Sequence, residues 1–340
     1  MKEITFADFA PQGSNIQLIQ RELTLGSFPH ASLIYGGQGF GKRTLAKLMA
    51  EALLCREEHR PCGVCRDCQL AQKLEHPNLI LIRAGEPIAE GVSRERTTIP
   101  VDDIRELVRL CGESTLDGGN RVVLMLEADK MTPQAQNALL KTLEEPPGGT
   151  YFILTTEHME NLLTTVISRC QRIPLHPWKQ EWIRDTLKAR GTDAHRAEAA
   201  ARVSEGSIGK AIQHAEDDDY WAKRKEWSAQ FLGLSKHGDI LGVSSAWKDR
   251  KGEADELLRY LEEQFRLMLR HRLDPGVSMI SDEIPAKWRE MADKAGLDSF
   301  SRLLDLIAAA RRQKEANVNF QAVIEQLLFG MLGELNRWQK

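Results

Sequence analysis

Residues 31–54 read ASLIYGGQGFGKRTLAKLMAEALL, and this stretch decides the fold. Ala31 to Tyr35 is an apolar run of strand length. Gly36-Gly37-Gln38-Gly39-Phe40-Gly41-Lys42-Arg43-Thr44 follows, and helical spacing runs from Lys42 to about Leu54. Strand, glycine-rich loop and helix in that order fit the pattern G-x-x-x-x-G-K. In such a loop Gly36, Gly39 and Gly41 let backbone N–H groups curl around phosphate oxygens, while Lys42 reaches the terminal ones. The stretch predicts a phosphate-binding loop on an α/β sheet.

Working outward, short apolar runs alternate with helix-like segments up to about residue 175. Leu79 to Ile82 reads as a strand, and Ile104 to Cys111 as a helix. Arg121 to Leu126 is a near-continuous apolar run, as expected of a strand covered on both faces. A helix from Pro133 to about Glu145 stops at Pro146-Pro147, and Tyr151 to Thr156 is the next strand. This alternation predicts a doubly wound parallel sheet. After Pro174 and Pro177 the texture becomes helical. Short helices fill Trp178 to Ala215, one of them around Glu181 to Lys188, and Asp217-Asp218-Asp219 reads as a linker. Beyond it three apolar helix faces recur: Leu257, Leu258, Leu261, Phe265 and Met268; Leu303, Leu304, Ile307 and Ala310; and Val323, Ile324, Leu327, Leu328, Met331 and Leu335. They predict a bundle packing on itself.

Composition narrows the function classes. The chain has 340 residues, 42% hydrophobic and 28% charged, which excludes disordered, collagen-like and fibrous classes. At roughly 150 residues per domain the length predicts two or three domains. No apolar run reaches about 18 residues, so no membrane span is expected. Met1 to Phe6 lacks the basic-then-apolar pattern of a secretory leader, so the expected location is the cytoplasm. A net charge of -3 is too acidic for a protein whose affinity comes from wrapping phosphates. Any nucleic-acid contact is then local or shared with partner chains.

The second half of a magnesium–nucleotide site is missing. The residue after Lys42 should carry a hydroxyl for Mg²⁺; Arg43 stands there, and Thr44 comes one residue late, about 100° around the helix. The strand that should end in a metal-binding Asp ends Met125-Leu126-Glu127-Ala128-Asp129. Leu126 holds the Asp position if Glu127 is the catalytic-type Glu, and Asp129 lies three residues on. Phosphoryl transfer depends on that ion, so hydrolysis at this loop is not expected.

Of six cysteines, Cys55, Cys62, Cys65 and Cys68 form C-x₆-C-x₂-C-x₂-C, while Cys111 and Cys170 stand alone. Two-residue gaps let thiolates converge on one tetrahedral ion, and four sulfurs leave no open position, so a closed structural zinc site is expected. An iron–sulfur cluster is the alternative for four thiolates. Arg56, Glu57, Glu58 and Arg66 make the segment too polar for a core of free thiols, and His59 and His76 read as surface or packing residues.

Two further motifs carry a family resemblance. Asn137-Ala138-Leu139-Leu140-Lys141-Thr142-Leu143-Glu144-Glu145-Pro146-Pro147 resembles the helix after the Walker B strand in bacterial clamp-loader subunits, and Ser168-Arg169-Cys170 resembles their SRC motif. The phosphate loop, the four-Cys insert and Thr155-Thr156 fall in the family's order. The likeness is specific over about residues 10–215 and architectural beyond. It implies a RecA-like AAA+ domain over 1–175 with the zinc module 55–68 inserted. A small helical lid over 176–216 and an all-α collar over 217–340, used for oligomerisation, would follow.

The family has a gamma/tau ATPase branch and a branch without turnover. In Gly206-Ser207-Ile208-Gly209-Lys210-Ala211, Gly209 falls where the ATPase branch places its sensor-2 Arg, a third departure beside Arg43 and Leu126. Arg169, with Ser168 beside it, is intact. The combination resembles the branch without turnover, which supplies an arginine finger in trans; a planar, permanently charged guanidinium suits that role. The resemblance implies a heteropentamer with gamma/tau and delta subunits. The sliding clamp and primer-template DNA would be partners through the complex, and nothing in the sequence supports a polymerase site of its own. Cys170 reads as a packed residue, and Thr155 as either a sensor-1 group or strand-end packing. Lys42 could retain weak phosphate binding, or Arg43 could fill the pocket, which leaves ATP or ADP occupancy open. The rival readings are an active gamma/tau-type ATPase using Thr44 and Asp129 in shifted roles, and a stand-alone nucleotide-binding regulator or phosphate-loop kinase.

Overall fold

A computed structural model describes residues 4–88, 97–115, 118–234, 236–274, 284–316 and 318–338. Met1 to Glu3, half of the segment read for a leader, lie outside the described residues. The chain divides into two compact units, one of residues 1–192 and 200–212, the other of residues 193–199 and 213–340.

In the first unit, helix α1 (Ser14–Leu25) leads into strand β1 (Ala31–Tyr35), and the glycine loop opens helix α2 (Lys42–Leu54). Then come α3 (Arg66–Lys73), β2 (Leu79–Ile82), α4 (Val101–Cys111), β3 (Arg121–Met125), α5 (Pro133–Glu144), β4 (Thr150–Thr156), the short α6 (Thr164–Ile167), β5 (Gln171–Pro174) and α7 (Gln180–Ala189). The strands form one parallel sheet in the order β2-β3-β4-β1-β5. Its central strands are buried and mostly apolar because helices cover both faces: all five residues of β3 are buried, as are Phe152, Ile153 and Leu154 of β4. Helix α2 is buried on most sides, through Leu45, Ala46, Leu48, Met49, Ala50, Leu53 and Leu54. Helix α5 starts where the Thr132 hydroxyl accepts the Ala135 N–H at 3.2 Å with Pro133 in the first turn, and it ends before Pro146. The fold is the doubly wound α/β sheet expected from the alternation of runs.

Two elements differ from the sequence reading. Helix α4 starts at Val101 rather than Ile104, because Pro100 sits at its N-cap with Asp102 and Asp103 in the first turn, and Asp103 accepts the Ile88 N–H at 3.0 Å. Strand β5 carries little signal in the sequence because it is short, begins Gln171-Arg172 and ends on a proline. Among the described residues it is an edge strand paired with β1, where alternation is weakest.

Helices α8 (Ala194–Val203) and α9 (Ile208–Glu216) follow. The second unit continues as α10 (Asp218–Trp227), α11 (Ile240–Ala246), α12 (Ala254–Leu273), α13 (Ala286–Lys294), α14 (Leu297–Glu315) and α15 (Phe320–Trp338). Asp217-Asp218-Asp219 is not a linker. The Asp217 carboxylate accepts the Tyr220 N–H at 2.9 Å and caps α10, with Asp218 and Asp219 in the first turn, where acidic groups suit the helix dipole. The three apolar faces meet in one core: Leu257, Leu261, Phe265, Leu303, Ile307, Ile324, Leu328 and Met331 are all buried, and Leu304 packs at its margin. Among the described residues no helix is long and apolar enough to cross a membrane.

Candidate functional site

The glycine loop runs from the carboxyl end of β1 to the start of α2, where parallel α/β sheets place their ligands. Gly36 sits at φ +151°, and a Cβ there would lie 2.4 Å from the Leu175 carbonyl oxygen, so no side chain fits. Gly39, at φ +74°, meets the turn before α9: its Cβ would lie 2.1 Å from Ser207 Oγ, and the Gly209 N–H donates to its carbonyl at 2.9 Å. Gly41, in the left-handed region, precedes Lys42.

Lys42 is buried, and its ammonium is turned back onto its own loop. Nζ donates to the carbonyls of Gly36 at 2.9 Å and Gly37 at 2.8 Å, and to Glu157 Oε1 at 3.1 Å. Arg43 is exposed, and Thr44 is half-buried one turn position away. Leu126 is buried just past the end of β3. Asp129 accepts the Thr156 hydroxyl at 2.8 Å. Thr155 Oγ1 accepts the Glu127 N–H at 3.2 Å, a bond between two strand ends. A cavity of about 710 Å³ lies beside the loop, lined by Gly39, Lys42, Arg43, Thr44, Glu127 and Trp178 among others. Trp178 stacks on Trp182 with ring centroids 3.9 Å apart and donates its indole N–H to the Phe40 carbonyl at 2.9 Å.

The four cysteines come together. Cys55 ends α2, Cys65 caps α3, Cys62 precedes that cap and Cys68 lies in the first turn of α3; all four sulfurs lie within 4.8 Å of one another. Cys55–Cys65 and Cys62–Cys68 are each 3.9 Å apart. Four sulfurs at about 2.3 Å from one zinc ion stand about 3.8 Å apart, so the donor set could hold zinc with little movement. The N–H groups of Cys65 and Cys68 point at the sulfurs of Cys62 (3.3 Å) and Cys65 (3.4 Å), contacts that favour thiolate. The Cys65 N–H draws the Cys62 thiol down to about 7, whereas burial raises Cys65 and Cys68. With four thiolates no position is left for water or substrate, so zinc here would clamp the α2–α3 connection. His59 is exposed. His76 is buried with Nδ1 accepting the Asn78 N–H at 3.1 Å, so Nε2 carries the proton toward Asp67 at 3.3 Å.

Ser168-Arg169-Cys170 follows α6. Ser168 is exposed and donates to the Thr165 carbonyl at 3.2 Å; Cys170 is buried, which pushes its thiol up to about 12. Arg169 is about a third exposed and pairs with Glu144, the last residue of α5, its Nε donating at 2.7 Å. The loop before α6 is tied to α5 by Gln136, whose carbonyl accepts the Leu163 N–H at 2.7 Å while its amide donates to the Asn161 carbonyl at 3.0 Å. Sequence reasoning passed over Gln136, Glu157, Trp178 and Trp182. Their one local signal is a polar or aromatic residue at an element end, and only long-range contacts give them a role.

The parallel sheet in the order β2-β3-β4-β1-β5 and the glycine loop after β1 define a RecA-like AAA+ protein. A family model described as DNA polymerase III, delta subunit, matches residues 11–179. The DNA polymerase III subunit delta' of Haemophilus influenzae is 34% identical over 75% of this chain and 78% of its own, and that of Bacillus subtilis 24% identical over 92% and 94%. The chain belongs to the DNA polymerase III delta' family of clamp-loader subunits. The tau subunit of Escherichia coli is also similar, 33% identical over 61% of this chain, which spans only 32% of tau's length.

Proposed function

We propose that this chain is a delta'-type subunit that turns over no ATP itself and supplies Arg169 in trans to a neighbouring gamma/tau-type ATP site during sliding-clamp loading. The observation that carries the reading is the loss of both metal-binding groups beside the phosphate loop. Arg43 and Leu126 take the places of the metal-binding hydroxyl and carboxylate, and Asp129, the one substitute nearby in sequence, is engaged by Thr156. Arg169, by contrast, lies at the surface.

On this reading residues 1–175 are the AAA+ domain, 176–216 a lid and 217–340 a collar that joins a heteropentamer with gamma/tau and delta. Similarity to a tau subunit supports partners of that kind. The clamp and primer-template DNA are met through the assembly. Cys55, Cys62, Cys65 and Cys68 hold structural zinc apart from the nucleotide chemistry.

DNA-stimulated ATPase of a reconstituted gamma/tau–delta–delta' complex with clamp tests this, with wild type, Arg169→Ala and the lone chain compared. A trans arginine finger contributes about 10³–10⁵-fold to phosphoryl transfer at its site. The expected result is a silent lone chain and a large loss on Arg169→Ala. Turnover by the lone chain, unchanged by Arg169→Ala, would return the chain to the active gamma/tau-type class.

A further inference from the structure

An arginine that works in a neighbour's site has to present its hydrogen-bonding edge before the neighbour's phosphate arrives. A guanidinium carries five N–H groups in a fixed plane: one on Nε and two on each Nη. In Arg169 the Nε–H and one Nη2–H both reach Oε1 of Glu144, the first at 2.7 Å, and Nη1 donates to the Thr165 carbonyl at 2.8 Å. The two anchors come from different elements, the C-terminal end of α5 and the first turn of α6, so the guanidinium plane is fixed by two separate groups. The N–H groups left over are one on Nη1 and one on Nη2. No acceptor among the described residues takes them. Two N–H groups left on neighbouring nitrogens of one guanidinium are what two-pronged binding to two oxygens of a phosphate requires.

We propose that Glu144 is a positioning residue for Arg169: it holds the inner edge of the guanidinium so that the outer edge is presented to a phosphate group of the neighbouring subunit. This rests on the trans-finger reading above. Its physical basis is pre-organisation. A long side chain that is already ordered loses little rotamer freedom when the phosphate arrives, whereas one that swings freely does. The pair is too exposed, at 30% and 47%, to contribute much to stability, so removing Glu144 should act on turnover and leave the fold intact.

The test is DNA-stimulated ATPase of the reconstituted complex with five versions of this chain: wild type, Glu144→Ala, Glu144→Gln, Arg169→Ala and the double variant Glu144→Ala with Arg169→Ala. Glu144→Ala should lower kcat roughly three- to tenfold, the loss expected from letting one long side chain go free, with KM for ATP unchanged. Glu144→Gln retains an acceptor at the Oε1 position and should recover most of that loss. In the Arg169→Ala background Glu144→Ala should change nothing further, since the two act as a unit. A severe Arg169→Ala defect together with wild-type kcat for Glu144→Ala overturns the positioning role and leaves the finger intact. A Glu144→Ala loss that persists undiminished in the Arg169→Ala background also overturns it, because the effect then runs through something else. If Arg169→Ala itself retains full turnover, the finger and the positioning role fall together.

Discussion

Gly39→Ala is the sharpest single test of how the glycine loop is held. Two separable costs are built into the site. The first is conformational: at φ +74° a residue with a Cβ costs about 1–2 kcal/mol relative to glycine. The second is contact. The new methyl would stand 2.1 Å from Ser207 Oγ, so the hydroxyl has to rotate away, and rotation breaks the bond it accepts from the Lys210 N–H at 3.2 Å. A lost hydrogen bond of that kind costs about 0.5–1.5 kcal/mol, which brings the expected destabilisation to roughly 1.5–3.5 kcal/mol. Gly26→Ala is the matched control, because Gly26 also has positive φ, +67°, but nothing lies within 4 Å of its Cβ. It should show the conformational cost alone. Hydrogen exchange by mass spectrometry in graded urea reads both variants on peptides from β1, α2 and residues 200–212 and avoids mixing in the second unit. Gly39→Ala should lose more protection than Gly26→Ala, and the excess should centre on residues 207–210. Equal losses for the two would refute the Ser207 contact and with it the account of how this turn covers the loop.

Three further outcomes follow from other parts of the molecule. Cys65→Ser should abolish stoichiometric metal binding and loosen residues 55–68 while leaving the exchange of β1 and α2 near wild type; metal content equal to wild type, measured by plasma mass spectrometry, would reject the ligand assignment. Burial raises the Cys170 thiol to about 12, so the folded chain keeps a proton that the unfolded chain gives up above about pH 9. The sign is therefore a stability that is full below pH 9 and falls as pH rises toward 12, by up to about 1.4 kcal/mol per unit from this group; urea midpoints at pH 8 and pH 10.5 should converge less for wild type than for Cys170→Ala. In the second unit, Arg224 is buried, bonds Glu263 at 2.9 Å and lies over the rings of Tyr220, Trp221 and Tyr260. Arg224→Ala should cost about 3–5 kcal/mol, and joint replacement of Arg224 and Glu263 by Met and Leu much less, as thermal unfolding would show.

Much of the fold was legible because its signals are local. The run over Ala31 to Tyr35, the glycines after it and the helix from Lys42 are neighbours in sequence as well as in space, so periodicity and spacing suffice to read them. The cysteine cluster is legible for the same reason, since fourteen consecutive residues supply all four sulfurs. Strand β5 was not, because an edge strand need not alternate when one neighbour alone holds it. Asp217 to Asp219 misled because the same short acidic residues suit a solvated linker and a helix start. Composition alone cannot separate them until the Tyr220 N–H is seen to need an acceptor.

The sequence by itself determined which chemical groups are present at the candidate site and which are absent: Lys42 but no hydroxyl after it, Leu126 in place of a carboxylate, four thiols within one turn-and-helix segment, and Arg169 between Ser168 and Cys170. Tertiary structure alone decided what those groups do with their bonds. Lys42 turns to Gly36, Gly37 and Glu157; Asp129 turns to Thr156; Gly39 is covered by the turn at Ser207; and Arg169 is held by Glu144. These partners lie as much as 168 positions away in the chain, as Ser207 does from Gly39. Hydrogen bonds and close contacts depend on distances of a few ångströms, and only the packing of the sheet and its helices brings residues so far apart in sequence within that reach.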